Sequence, residues 1–141
     1  MLRINSENET ASLRRTSISD QGLLEDDLRD WILDDQKSIL GEGLLLIGRE
    51  VTIKEIGDAI DLLGIDRDGN IVIIELKKGR ITGNVDFQAL KYAAYTSYWS
   101  YDQLRDQFEK FKSTNWGQTL YEEETTFTEV LDEFCNDDYT L

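Results

Sequence analysis

Hydrophobic spacing divides the chain into helical and extended stretches. Leu24, Leu28, Trp31 and Ile32 recur at helical spacing, which predicts a helix from about Asp20 to Leu33 with Ser19 or Asp20 as N-cap. Glu25 sits on the border of that stripe, while residues 1–18 have no periodicity and read as a loose, flexible polar arm. Gly41 and Gly43 break the chain. Residues 44–54 then read as one strand, or as a bent strand interrupted at Gly48, and residues 59–66 as a second. Arg67-Asp68-Gly69-Asn70 is a turn, and Ile71 to Lys77 a third strand. The helical period returns from about Asn84, a candidate cap, to Tyr101. Shorter helices are expected at 102–112 (Leu104, Phe108, Phe111) and 126–135 (Phe127, Val130, Leu131, Phe134). The order is that of an α/β domain opening with an antiparallel meander.

Charged residues interrupt two of these strands. Ile71-Val72-Ile73-Ile74 is apolar throughout, as in a strand covered on both faces, and runs into Glu75-Leu76-Lys77. Alternation places Glu75 and Lys77 on one face and Leu76 on the other. Asp61 interrupts the apolar second strand in the same way. A three-residue loop of Arg67-Asp68-Gly69, with Gly69 left-handed, pairs Asp66 with Asn70 and sets Asp61 opposite Glu75, with Cβ atoms about 5 Å apart. A two-residue Asp68-Gly69 turn would instead set Asp61 opposite Leu76; the first register is preferred because it gathers the charged residues on one face. Carboxylates at that distance repel unless a cation lies between them. A competing reading has Lys77 neutralising both acids in a structural ion pair.

Composition narrows the chemistry. The 141 residues include no histidine and a single cysteine, Cys135, which removes His-based triads, His-dependent phosphotransfer and zinc sites with His or multiple thiolate ligands. No Gly-rich phosphate loop is present. Side-chain ligands for a metal must be oxygens, which suit Mg²⁺, Mn²⁺ or Ca²⁺. The net charge of −14 argues against a broad nucleic-acid surface, but it is unevenly spread. Residues 67–91 carry five basic and three acidic side chains, and Lys77, Lys78, Arg80 and Lys91 form the only basic stretch. The sequence has no apolar run near the ~20 residues that span a bilayer and no apolar signal stretch at its start, so a cytoplasmic protein is expected.

Asp61, thirteen intervening residues and Glu75-x-Lys77 resemble the signature of the PD-(D/E)xK phosphodiesterase superfamily. Gln88-Ala-Leu-Lys-Tyr92 resembles the Gln-x-x-x-Tyr motif of its RecB-type and NucS-like members, and Leu24-Glu25 the glutamate that precedes their first strand. The similarity covers about residues 23–101. It implies a restriction-endonuclease-like αβββα core over 19–101, a fourth strand beyond residue 141, and an acidic helical extension over 102–141 leading into a further C-terminal part. It also implies a Mg²⁺- or Mn²⁺-dependent nuclease, an endonuclease acting on DNA in repair or defence. Asp61, Glu75 and the backbone carbonyl of Leu76 would hold the metal, and Glu25 would complete the shell directly, through water or through a second metal. Lys77 would orient or help deprotonate the attacking water, Gln88 would position Lys77 or that water, and Tyr92 would support the helix. Lys78, Arg80 and Lys91 would face phosphate. The acidity suggests that substrate grip comes from other segments, a partner domain or a second copy in a homodimer. The alternative is a catalytically silent nuclease-like fold that binds nucleic acid or protein.

Other features have plainer readings. Tyr92, Tyr95, Tyr98, Trp99 and Tyr101 could stack on bases, but such runs more often pack a core or an oligomer contact. Arg49 and Glu50 could line a groove, although a surface role is the simpler expectation. Glu122-Glu123-Glu124 reads as solvated and Cys135 as inert.

Overall fold

A computed structural model describes residues 2–4, 10–12, 21–77 and 85–141. The candidate caps Ser19, Asp20 and Asn84, and the basic residues Lys78 and Arg80, lie outside the described residues. Within the segment expected as a loose arm, β1 (Leu2–Ile4) and β2 (Thr10–Ser12) pair antiparallel in a small sheet of their own.

The first helix, α1 (Glu25–Asp34), begins at Glu25 rather than near Asp20. Gly22, at φ +69°, turns the chain ahead of it. The carboxylate of Asp27 accepts from the Leu24 N–H at 2.7 Å, and Glu25, Asp26 and Asp27 place negative charge at the positive end of the helix dipole. Its buried face is Arg29, Ile32 and Leu33, whereas Leu24 and Trp31 of the expected stripe are 56% and 42% exposed. The stripe is rotated because an arginine takes one of the inward places. A short helix, α2 (Gln36–Leu40), follows.

The main sheet is an antiparallel meander of β3 (Leu45–Ile53), β4 (Asp58–Ile65) and β5 (Ile71–Ile74), in the order β3-β4-β5. Among the described residues no fourth strand joins it. β3 is the bent strand: its register shifts between Leu46 and Gly48, where a Cβ on Gly48 would overlap the side chain of Val51. At this irregularity Tyr121 Oη donates to the Leu46 carbonyl at 2.7 Å and Gln107 to the Ile47 carbonyl at 3.2 Å, which keeps both buried acceptors satisfied. The β4–β5 hairpin adopts the three-residue loop, with Asp66 N–H donating to the Asn70 carbonyl at 3.0 Å and Gly69 at φ +89°. The Asp66 carboxylate accepts from the N–H groups of Asp68 and Asn70, fixing the turn locally.

Helices cover both sheet faces. The helix expected over residues 84–101 ends five residues earlier, as α3 (Val85–Thr96), and the one expected at 102–112 is α4 (Tyr101–Lys112). The break is a capping box in which the Ser100 hydroxyl and the Gln103 carboxamide accept from each other's backbone N–H. α5 (Asn115–Leu120), which has no sequence stripe, starts at the Thr114 cap, and α6 (Phe127–Phe134) ends the fold. One core cluster joins Leu45, Ile47, Val51, Ile60, Leu63 and Ile65 of the sheet to Tyr92, Leu104, Phe108, Phe127 and Leu131. The other joins Leu46 and Leu62 to Ile32, Leu33, Leu76 and Phe111. Residues 102–141 are therefore built into the core rather than appended to it, each fully buried Leu or Phe contributing roughly 1.5–3 kcal/mol. No described helix is long and apolar enough to cross a membrane.

Candidate active site

The β4–β5 ladder ends at the pair Leu62↔Ile74, so the next rung is Asp61 and Glu75. β5 stops there instead of continuing to Lys77 as the sequence suggested. In place of a further backbone pair, Asp61 Oδ2 accepts from the Leu76 N–H at 2.8 Å, holding the departing chain against β4. Lys77 then folds back on Glu75, with Nζ to Oε1 at 2.5 Å. The Glu75 hydrogen bond, together with the charges of Glu75, Asp61 and Glu25, holds the Lys77 ammonium above its usual pKa against the opposing effect of burial. Glu25 of α1, Asp61 of β4 and Glu75 thus act on one lysine. The Glu75 side chain is 5% exposed and its Oε2 is buried with no hydrogen-bond partner among the described residues. That is an unsatisfied acceptor aimed into the fold, where one is costly.

A residue that the sequence reading passed over completes the cluster. Arg29, one helical turn after Glu25, is 5% exposed. Its guanidinium meets Asp26 at 2.8 Å, Glu50 at 2.6 Å and Asp61 at 3.5 Å. Burial alone would ease its proton off; the Glu50 hydrogen bond and the charges of Glu50, Asp61 and Asp26 outweigh this. Glu50 falls between the pairs Arg49↔Leu62 and Val51↔Ile60, hence across from Asp61, and has φ +51°, rare for a non-glycine residue. Glu50 on β3 and Glu75, one residue past the end of β5, therefore flank Asp61 on β4. Arg49 pairs with Asp30 at 3.1 Å and lies over the Trp116 ring. The spacing of Glu25 and Arg29, which puts them on one helix face, was the available signal.

α3 supplies the third wall. Tyr92 is fully buried, and its hydroxyl donates to the Ala59 carbonyl at 3.0 Å. Burial, with hydrogen bonding to Asp58, pushes that hydroxyl's pKa up, and the charge of Glu75 adds to the effect. Gln88, one turn earlier on α3, acts on the same hydroxyl in the opposite direction. Lys91 pairs with Asp58 at 2.8 Å and stays half exposed. Of the aromatic run, Tyr95 and Trp99 pack against the core, Tyr101 tilts against Phe127, and Tyr98 is 87% exposed.

Among the described residues no three carboxylates stand together as a ready-made metal cluster. Each of the two strand-end acids meets a cation of the chain instead, Glu75 meeting Lys77 and Asp61 meeting Arg29. The orphaned Glu75 oxygen and the all-oxygen donor set nevertheless fit a hard divalent cation.

Residues 24–113, more than half of the chain, match the family described as the endonuclease NucS C-terminal domain. No curated protein and no solved structure matches the chain. The matched span takes in Glu25, Asp61, Glu75, Lys77, Gln88 and Tyr92, and runs past residue 101 through α4. Its mixed α/β architecture, a three-stranded antiparallel meander between helices, is that of a restriction-endonuclease-like domain. The chain belongs to the family of endonuclease NucS C-terminal domains.

Proposed function

We propose that this chain is the cutting domain of a metal-dependent endonuclease of the PD-(D/E)xK type, hydrolysing phosphodiester bonds of nucleic acid, with DNA as the substrate. The observation that carries the reading is the meeting of Asp61 and Glu75 one rung past the Leu62↔Ile74 pair, with Lys77 bonded to Glu75 and the other Glu75 oxygen buried without a hydrogen-bond partner among the described residues. Asp61, Glu75 and the Leu76 carbonyl would hold Mg²⁺ or Mn²⁺, and Glu25 would complete the shell directly or through water. Bound there, such an ion supplies Lewis acidity beside phosphorus and favours loss of a proton from the attacking water. The Leu76 N–H fixes the orientation of Asp61. Lys77, kept cationic by its acidic neighbours, would orient the water and offset charge on the scissile phosphate. Tyr92 ties α3 to β4, and Gln88, one turn before it on α3, would position Lys77 or the water. Lys91 would meet phosphate; with a net charge of −14, further grip on the substrate would come from a partner domain or a second copy.

Incubating the full chain with single-stranded, duplex, flap and mismatched DNA, and with RNA, in Mg²⁺ or Mn²⁺ tests this reading. Cleavage by the wild type and its loss in Glu75→Ala and Lys77→Ala are expected. Cleavage that survives both substitutions refutes the assignment. One observation favours a silent binding module instead, namely the lack of a ready carboxylate cluster among the described residues. Retention of DNA without cleavage of any substrate would support that second reading.

A further inference from the structure

We propose that Arg29 is a positioning residue that shares Asp61 with the divalent cation and thereby sets how tightly that cation is held; this rests on the nuclease reading above. A guanidinium at 5% exposure needs compensating charge. Its two short contacts go to carboxylates that are largely in solvent, Asp26 at 2.8 Å and Glu50 at 2.6 Å, whose side chains are 66% and 61% exposed. The long contact, 3.5 Å, goes to Asp61 Oδ1.

Asp61 shows the complementary arrangement. Its Oδ2 is held at 2.8 Å by the Leu76 N–H, so Oδ1 is the oxygen with the looser bond. Arg29 can release Oδ1 and still keep two acids, which leaves its buried charge compensated. Glu50 is shaped for this duty. It faces Asp61 across the β3–β4 pairing and holds a left-handed backbone conformation that L side chains rarely adopt. Two cations that share one carboxylate weaken each other's hold. Arg29 therefore stands in as the counter-charge of Asp61 before the divalent ion arrives, and competes with it afterwards.

Calorimetry of Mn²⁺ binding to the full chain distinguishes this from a purely structural anchor. Arg29→Met should bind Mn²⁺ more tightly, on the order of fivefold, while its metal-free melting temperature falls. Glu50→Gln, at an exposed carboxylate, should weaken Mn²⁺ binding because Arg29 then leans on Asp61. Adding Glu50→Gln to Arg29→Met should cause little further change, and the control Arg49→Met should bind like wild type. If Arg29→Met does not fold, Glu50→Gln alone decides by weakening binding or leaving it unchanged. Unchanged or weaker binding by a folded Arg29→Met, or equal tightening by Arg49→Met, overturns the proposal. Wild-type protein that binds no Mn²⁺ overturns the nuclease reading and this inference with it; normal wild-type binding with inert Arg29 and Glu50 variants overturns the inference alone.

Discussion

The backbone N–H of Leu76 donates to Asp61 Oδ2 at 2.8 Å, one rung past the last β4–β5 backbone pair, Leu62↔Ile74. A side chain thus takes over where the ladder stops. Leu76 stays buried there, at 6% exposure, although the ladder has ended. The same carboxylate also carries part of the counter-charge for Arg29.

Removing that carboxylate should therefore cost stability before any question of catalysis arises. Asp61→Ala strips Leu76 of its acceptor and Arg29 of one partner, and we expect a loss of about 1–3 kcal/mol in urea unfolding. Asp61→Asn, which keeps an acceptor for the Leu76 N–H, should lose less. Equal losses for the two variants would show that this hydrogen bond contributes nothing.

Tyr92 gives a second test, because its ring and its hydroxyl have separate roles. The ring is fully buried among core residues, and the hydroxyl joins α3 to β4 through the Ala59 carbonyl. Tyr92→Phe should cost about 1 kcal/mol, the worth of one hydrogen bond. Tyr92→Ala should cost roughly 3–5 kcal/mol, as for other large aromatic truncations. Denaturant midpoints at constant slope measure both.

Acid stability should report on the neighbouring pair. The Lys91 hydrogen bond, with those of Tyr92 and the Ala59 N–H, lowers the Asp58 carboxyl from its usual 3.8 to about 2. A folded-state pKa below the unfolded one contributes stability above the unfolded value, and that contribution disappears as pH falls through the folded value. The share from Asp58 should therefore be complete above about 3.8 and vanish between there and about 2. In Lys91→Met, the Asp58 titration followed by NMR should move back up towards 3.8. A titration unmoved by this substitution would show that the Lys91 contact is not the cause.

The parts legible in sequence were those fixed by local chemistry. Asp66 to Asn70 names its own turn, through a left-handed Gly69 and a carboxylate that caps two N–H groups, and that turn dictated the register bringing Asp61 to Glu75. Gly48 likewise marked the bend in β3. Arg29 was missed because its burial depends on Glu50 and Asp61, 21 and 32 residues away, while α1 alone shows only an acidic first turn and a few apolar residues. The same inward arginine explains why Leu24 and Trp31 are exposed. The unusual backbone of Glu50 has no sequence mark, since only glycine announces a positive φ. Helix α5 lacked a hydrophobic stripe, and only a local cap, the Thr114 hydroxyl accepting from the Gly117 N–H, marks its start. The core role of residues 102–141 was hidden by their acidity, which lies on the outer faces of helices whose inner faces carry Leu104, Phe108, Phe127 and Leu131.

The most direct measurement is the location of a divalent cation on the folded chain. Mn²⁺ added in small amounts to ¹⁵N-labelled protein broadens the amide signals closest to it. We expect Asp61, Glu75, Leu76 and Lys77 to broaden first, with Glu25 beside them, and Mg²⁺ to reverse the effect by displacing Mn²⁺. Broadening centred on the exposed Glu122-Glu123-Glu124 run, or spread evenly over the acidic surface, would contradict a metal site at the end of the β4–β5 ladder.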